Sequence, residues 1–336
     1  MARRRRGVLR LISLPDRSRH VPLSGHLWTL NGYLWRTLRA SQVPGSARRW
    51  STVLDDPDLG AVRLTGLLSE PPEAKALVVL VHGLGGSSDS PYVVAAVARL
   101  VKSGFACLAL NLRGADRTGE DIYHAGLTAD LAAAFVSPEV VAYDKKAVLG
   151  FSLGGHVTLR FAIDDPPARL RAAVAICPPV DLAATATTID SRSGWLYRRY
   201  LLARLLEIYT EVADRRQLAG SVADVREART FVEFDSLVIA PRYGFVDAWD
   251  YYRRVSVGPD LTQLETPVLL LATEDDPMVP AESLKIPVRR SSASLSCHLS
   301  ARGGHLSFPK DLDLGISTEL GLYPQVIGWL RAQLEV

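Results

Sequence analysis

Short runs of valine, leucine and alanine punctuate the sequence at Ala76–Val81, Ala106–Asn111, Lys146–Phe151, Ala172–Cys177 and Pro267–Ala272, with a sixth, more polar run at Ser294–Leu299. A strand without polar alternates has no solvent face, so it must be covered on both sides, as in a parallel sheet flanked by helices. Helical patterns fill the gaps. Ser90 is placed to cap a helix that starts at Pro91 and ends near Lys102, with Gly104 just beyond. Leu127–Phe135, Gly154–Ala162 and Tyr323–Leu334 carry further helical patterns. Ahead of these units, Trp50–Leu54 and Val62–Leu68 flank the turn-rich stretch Asp55–Gly60 and read as an antiparallel hairpin. The expected fold class is α/β, with a mostly parallel central sheet and helices on both faces.

From Asp181 to Gln263 the pattern changes. Tyr197, Leu201, Leu205, Ile208 and Val212 share one helical stripe, and the stretch is rich in arginine and tyrosine. It reads as a helical cap inserted between sheet strands. The expected organisation is a basic N-terminal segment (1–49), a first core part (50–180), the cap (181–263) and a second core part (264–336).

Charge and cysteine content narrow the function classes. The formal net charge of +3 over 336 residues makes no case for a nucleic-acid partner. The charge is uneven, because residues 1–50 hold eleven arginines and one acid, leaving a net −7 on the rest. Arg3–Arg6 could touch an anionic membrane surface weakly, although a solvated basic tail is the simpler reading. Cys107, Cys177 and Cys297 are too scattered for a disulfide framework or a zinc site. The apolar stretch Gly7–Ser13 is broken by Arg10, which argues against a cleavable signal, and no apolar run is long enough to span a bilayer. A reducing, cytoplasmic setting is expected.

Gly150-Phe151-Ser152-Leu153-Gly154 fits a nucleophile elbow, in which a serine sits on a sharp strand-to-helix turn and flanking glycines let the backbones approach. The spacing alone is weak; its position between an apolar strand and a helix gives it weight. An acyl-transfer serine needs a base and a group to orient that base, and in this architecture they follow in the order acid, then histidine. Asp276 follows a buried strand and is the first choice of acid, with Asp275 and Asp181 as alternatives. His305 follows Gly303-Gly304 after the last strand and is the candidate base. His124 and His156 could line a pocket but stand before the acid in the chain. Backbone N–H groups of Leu84, in His82-Gly83-Leu84-Gly85-Gly86, and of Leu153 are the candidate oxyanion donors. That glycine loop lacks the spacing and lysine of a phosphate-binding loop. This chemistry needs no metal or organic cofactor.

Several stretches together resemble the YheT-like group of α/β-hydrolases, nearly end to end. They are Gly25-His26-Leu27-Trp28-Thr29-Leu30, Leu80–Tyr92, Asn111-Leu112-Arg113-Gly114, Tyr123–Leu131, Phe234-Asp235, Ala240–Phe245 and Tyr251-Tyr252. Trp28 departs from the group's usual residue. The resemblance implies an α/β-hydrolase fold with a cap, and a triad falling on Ser152, Asp276 and His305. It implies a serine hydrolase of carboxylic esters with short, medium or lipid acyl groups. The rivals are an acyltransferase or thioesterase using the same triad, and a non-catalytic scaffold that binds a lipid or partner.

Overall fold

A computed structural model of the protein describes residues 22–38, 47–164, 166–167, 169–216 and 218–336. Arg3–Arg6, and with them the expected membrane contact of the basic tail, lie outside these residues. The N-terminal segment, read above only as basic, contains a helix, α1 (Leu23–Leu38).

Strands β1 (Ala47–Asp56) and β2 (Gly60–Ser69) form the expected hairpin, antiparallel with Ala47 opposite Ser69. Asp56 shapes its turn by accepting from the N–H groups of Asp58 and Leu59 at 3.1 and 3.2 Å. Then come β3 (Leu77–Val81), α2 (Pro91–Lys102), β4 (Ala106–Asn111), α3 (Ala129–Val136), α4 (Pro138–Val141), β5 (Lys146–Phe151), α5 (Leu153–Asp164) and β6 (Leu170–Ile176). Among the described residues the chain between β6 and the next strand contains helices and their connecting turns and no strand. It runs through α6 (Leu182–Asp190), α7 (Trp195–Ala213), α8 (Val222–Glu227), α9 (Phe231–Phe234), a π-helical turn at Asp235–Ile239, α10 (Ala240–Arg242) and α11 (Ala248–Val255). Strand β7 (Val268–Thr273), α12 (Ala281–Arg290), β8 (Leu295–Ser300) and α13 (Leu322–Leu334) complete the chain.

The eight strands form one sheet in the order β1-β2-β4-β3-β5-β6-β7-β8, antiparallel at β1-β2 and β2-β4 and parallel from β4 onward. Successive residues of the central strands feed opposite cores, as a pleated strand requires. Val79, Val81, Leu108 and Leu110 face one core, shared with Val157 and Phe161 of α5; Val78, Leu80, Cys107 and Ala109 face the other, shared with Val97 of α2 and Leu330 of α13. Because β3 lies between β4 and β5, the connections leaving β3 and β5 diverge and open a crevice at the carboxyl edge of the sheet.

Two local expectations change. Ser90 stands at the start of α2, but its hydroxyl makes no cap bond and instead accepts from Ser87 N–H at 3.0 Å. The helix read from Leu127 starts only at Ala129.

A buried charge cluster joins the sheet to the helical insert. The fully buried Arg113 donates to Asp56 (2.7 Å), Asp121 (3.0 Å) and Asp130 (2.8 and 2.9 Å). Arg242 of α10 donates twice to Asp121, both at 2.9 Å, and Tyr243 hydroxyl donates to Asp121 at 3.1 Å. The acids around Arg113 hold its guanidinium well above the usual arginine range against the cost of burial.

Candidate active site

Ser152 is the single residue between β5 and α5, and its φ of +53° is a left-handed conformation that a serine adopts only under tertiary constraint. The flanking glycines are steric requirements. A β-carbon at Gly150 would lie 2.1 Å from Gly154 oxygen, and one at Gly154 would lie 2.4 Å from the carbonyls of both Val81 and His82. The turn is pinned by Ser152 N–H donating to Ile176 oxygen at 2.8 Å.

The three residues expected to work together do meet. His305, on the loop after β8, places Nε2 2.9 Å from Ser152 Oγ and Nδ1 2.7 Å from Asp276 Oδ2. Asp276, on the loop after β7, is only 2% exposed, and its Oδ1 accepts from the N–H groups of Met278 and Val279 at 2.9 and 3.0 Å. A neutral His305 that donates Nδ1–H to the carboxylate presents an Nε2 lone pair to the serine hydroxyl, the polarity that proton abstraction needs. The alternative acids are engaged elsewhere. Asp275 accepts from Ser24 hydroxyl at 2.9 Å, and Asp181 caps α6 by accepting from Ala184 N–H at 2.9 Å. The Cys177 thiol, Asp276 carboxylate and His305 imidazole offer three metal-ligating atoms within 4.8 Å of one another. Two of those groups are bonded to each other, and Cys177 Sγ accepts from Leu306 N–H at 3.4 Å.

Thr29 is a site-supporting residue that motif spacing did not single out. Its hydroxyl accepts from His305 N–H at 2.9 Å and donates to Gly25 oxygen at 2.8 Å. Close packing explains the adjacent glycines: a β-carbon at Gly25 would lie 1.9 Å from Asp275 oxygen, and one at Gly304 would lie 2.5 Å from both Gly25 oxygen and Thr29 Oγ1. The only hint in the sequence was the Gly25–Leu30 resemblance, which carried no role.

The loop after β3 is held by side chains from three directions. Gly83 N–H donates to Tyr92 hydroxyl at 2.9 Å, Gly85 N–H to Tyr123 hydroxyl at 2.7 Å, and Ser88 N–H to Asn111 Oδ1 at 2.7 Å. Burial pulls His82 down to about 4, so its neutral ring can donate Nδ1–H to Gly83 oxygen (2.8 Å) and accept from Leu112 N–H (3.2 Å). Leu84 N–H has no hydrogen-bond partner among the described residues. Leu153 is the first residue of α5, where helix geometry leaves N–H groups unpaired and the dipole favours negative charge. A β-carbon at Gly83 would stand 3.1 Å from Ser152 Cβ, so glycine lets this loop close on the serine.

Ser152 and His305 open into a cavity of about 590 Å³ whose walls are mostly apolar, with Leu182, Ile189, Leu201, Phe231 and Phe234 from the insert. Its polar lining includes Asp89, Arg117, Arg204 and several tyrosines, among them Tyr123 and Tyr197. Asp235 faces the cavity, accepts from Tyr252 hydroxyl at 2.6 Å, and is pushed up to about 7 by burial. His124 also lines the cavity, packed 4.2 Å from the Tyr243 ring and pulled down to about 3 by burial. His156 is fully buried outside the lining, between the carbonyls of Pro179 and Val255 at 2.8 and 3.0 Å.

The sequence profile of the alpha/beta hydrolase fold matches residues 76–312, which includes the serine elbow, the insert, Asp276 and His305. The chain belongs to the α/β-hydrolase fold family. Within this hydrolase family it is 30% identical to YheT of Escherichia coli K12, over 78% of each chain. It is 26% identical to a monoacylglycerol lipase of Saccharomyces cerevisiae over 71% of its own length, spanning 56% of that lipase. An esterase of Pyrococcus furiosus shares the α/β-hydrolase fold at a TM-score of 0.55 and 16% identity, over 86% of this chain and 94% of the esterase. Esterases and lipases thus recur among the relatives of this chain.

Proposed function

We propose that this protein is a serine esterase that cleaves carboxylic esters, lipid esters included, through an acyl-enzyme on Ser152. The observation that carries the reading is the unbroken Ser152–His305–Asp276 chain, with links of 2.9 and 2.7 Å, at the wall of an apolar cavity. His305 takes the Ser152 proton as Oγ attacks the ester carbonyl, and Asp276 steadies the imidazolium that forms. The N–H groups of Leu84 and Leu153 receive the tetrahedral oxyanion, an interaction worth about 3–4 kcal/mol per donor in acyl transfer. His305 returns the proton to the departing alcohol. Water then attacks the acyl-enzyme by the same route in reverse roles, releasing the acid and restoring Ser152.

In this reading residues 50–180 and 264–336 form the catalytic core and 181–263 form the cap that encloses the acyl chain. The apolar lining supports an acyl chain in preference to a charged peptide or nucleotide, and the yeast lipase relative supports lipid esters as substrates. No helix among the described residues is long and apolar enough to cross a membrane, and a cytoplasmic enzyme fits three scattered cysteines that form no disulfide.

The test is intact-mass analysis after exposure to a fluorophosphonate, for wild type and Ser152→Ala. A single adduct that disappears in the variant is expected. An adduct retained by folded Ser152→Ala would overturn the assignment, and its absence from wild type would favour the non-catalytic scaffold.

A further inference from the structure

We infer that the surface formed by α1 and α7 is a docking face for an anionic lipid surface, and that the cavity opens through it; this rests on the ester-hydrolase reading above. The two helices meet at the mouth, where His26 Nδ1 lies 2.9 Å from Tyr197 hydroxyl and the two rings stack at 5.7 Å. Around that junction the protein presents large apolar side chains to solvent. Leu23, Leu27 and Leu30 follow one another on the same stripe of α1, and Trp195, Leu196 and Tyr200 occupy the outer stripe of α7; all six are between 41% and 81% exposed.

Ordinary isolated exposure does not explain this arrangement. Leu30, Leu196 and Tyr200 belong both to the exposed patch and to the cavity lining, so the patch is continuous with the apolar interior. An ester whose acyl chain is dissolved in a lipid phase could pass from that phase into the cavity without exposing the chain to water, a step whose cost otherwise grows with every methylene.

Charge selects the occupant. Arg192 and Arg199 are exposed on either side of Trp195 and Leu196. No aspartate or glutamate occurs between Asp16 and Asp55, and seven arginines precede α1 in the sequence. The exposed Arg192 and Arg199 beside the apolar stripe complement anionic headgroups over an acyl layer, and Asp275, the acid at the α1 end, is half-buried and accepts from Ser24 hydroxyl at 2.9 Å. A second copy of the chain would bring the same arginines face to face.

The full-length protein would be sedimented with vesicles of phosphatidylglycerol and phosphatidylcholine, and with vesicles of phosphatidylcholine alone. A Leu27→Ser/Trp195→Ser double variant would be compared, since neither side chain lines the cavity. Wild type should pellet with the anionic vesicles and less with the neutral ones. The variant's partition coefficient should fall by roughly tenfold or more, on the scale of two lost apolar contacts. Hydrolysis of a water-soluble short-chain ester should be unchanged in the variant, whereas hydrolysis of an ester embedded in vesicles should fall with binding. Equal pelleting of variant and wild type, or none by wild type, overturns the inference. So does a wild-type dimer that the variant disrupts while vesicles remain unbound, because the face would then belong to a second copy. Loss of the soluble-ester reaction in wild type would instead strike the esterase reading and leave the binding comparison intact.

Discussion

Thr29 offers a sharp test of how this site is held. Its hydroxyl is the acceptor for His305 N–H among the described residues, and the threonine is 7% exposed, so water cannot readily replace it. Thr29→Val keeps the shape and replaces the hydroxyl with a methyl group. The buried His305 amide then loses its partner, at a cost of about 1–3 kcal/mol. The methyl is also bulkier than the hydroxyl it replaces, which sits 2.9 Å from His305 nitrogen. Both effects push the loop carrying His305 away from Ser152. If that cost appears in the acylation barrier, kcat/KM falls by about 5- to 150-fold, since each 1.36 kcal/mol is tenfold. The loss should lie mainly in kcat. Thr29→Ser, which keeps the acceptor, should retain most activity. Steady-state hydrolysis of a p-nitrophenyl ester would measure this, with fluorophosphonate labelling rate as a substrate-independent check and urea unfolding to separate stability from catalysis. Activity of Thr29→Val within about twofold of wild type would refute the idea that α1 positions the base.

Other outcomes follow from the same geometry. His305→Ala should be nearly as inactive as Ser152→Ala because the linked residues act as a unit, whereas Asp181→Asn should leave hydrolysis almost unaltered because Asp181 only caps α6; ester assays on both would decide. Arg113→Met should cost about 3–5 kcal/mol in urea unfolding by stranding buried carboxylates. Burial already raises Asp130, and without the cation the folded state should hold its proton to higher pH than the unfolded chain. The deficit should therefore be larger at pH 7 than at pH 5, and an equal deficit at both would contradict the account. Asp235 sits at about 7 in the folded protein, above its unfolded value of about 3.9, so it contributes stability at low pH that is lost as pH rises through 7. Asp235→Asn should flatten the melting temperature between pH 5 and pH 8; an unchanged slope would count against a titrating Asp235.

The sheet was largely legible because its strands are short and apolar: β4 and β5 fall on the residues expected, and β3, β6, β7 and β8 within a few residues. Ser152 was legible for a related reason, since Gly150 and Gly154 answer to contacts made within one strand-turn-helix unit and its neighbour β3. The α1 helix was missed because its support is remote, with Gly25 set against the chain at Asp275 and Gly304 and Thr29 bonded to His305. The same distance hid the work of Tyr123, whose hydroxyl holds Gly85, and of Arg242, whose partner Asp121 lies far back in the chain.

Local chemistry thus determined the strand-and-helix order and the elbow around Ser152, because each depends on residue type and short-range spacing, and the order serine, acid, histidine followed from the architecture those elements imply. The sequence made Asp276 the first choice of acid, but only the tertiary structure shows that it, rather than Asp275 or Asp181, faces His305, since acids of one chemical type differ in where their backbones point. The tertiary structure also decided the cavity, the raised Asp235 and the apolar mouth between α1 and α7. Those are properties of what lies next to a side chain in space, and linear spacing does not encode them.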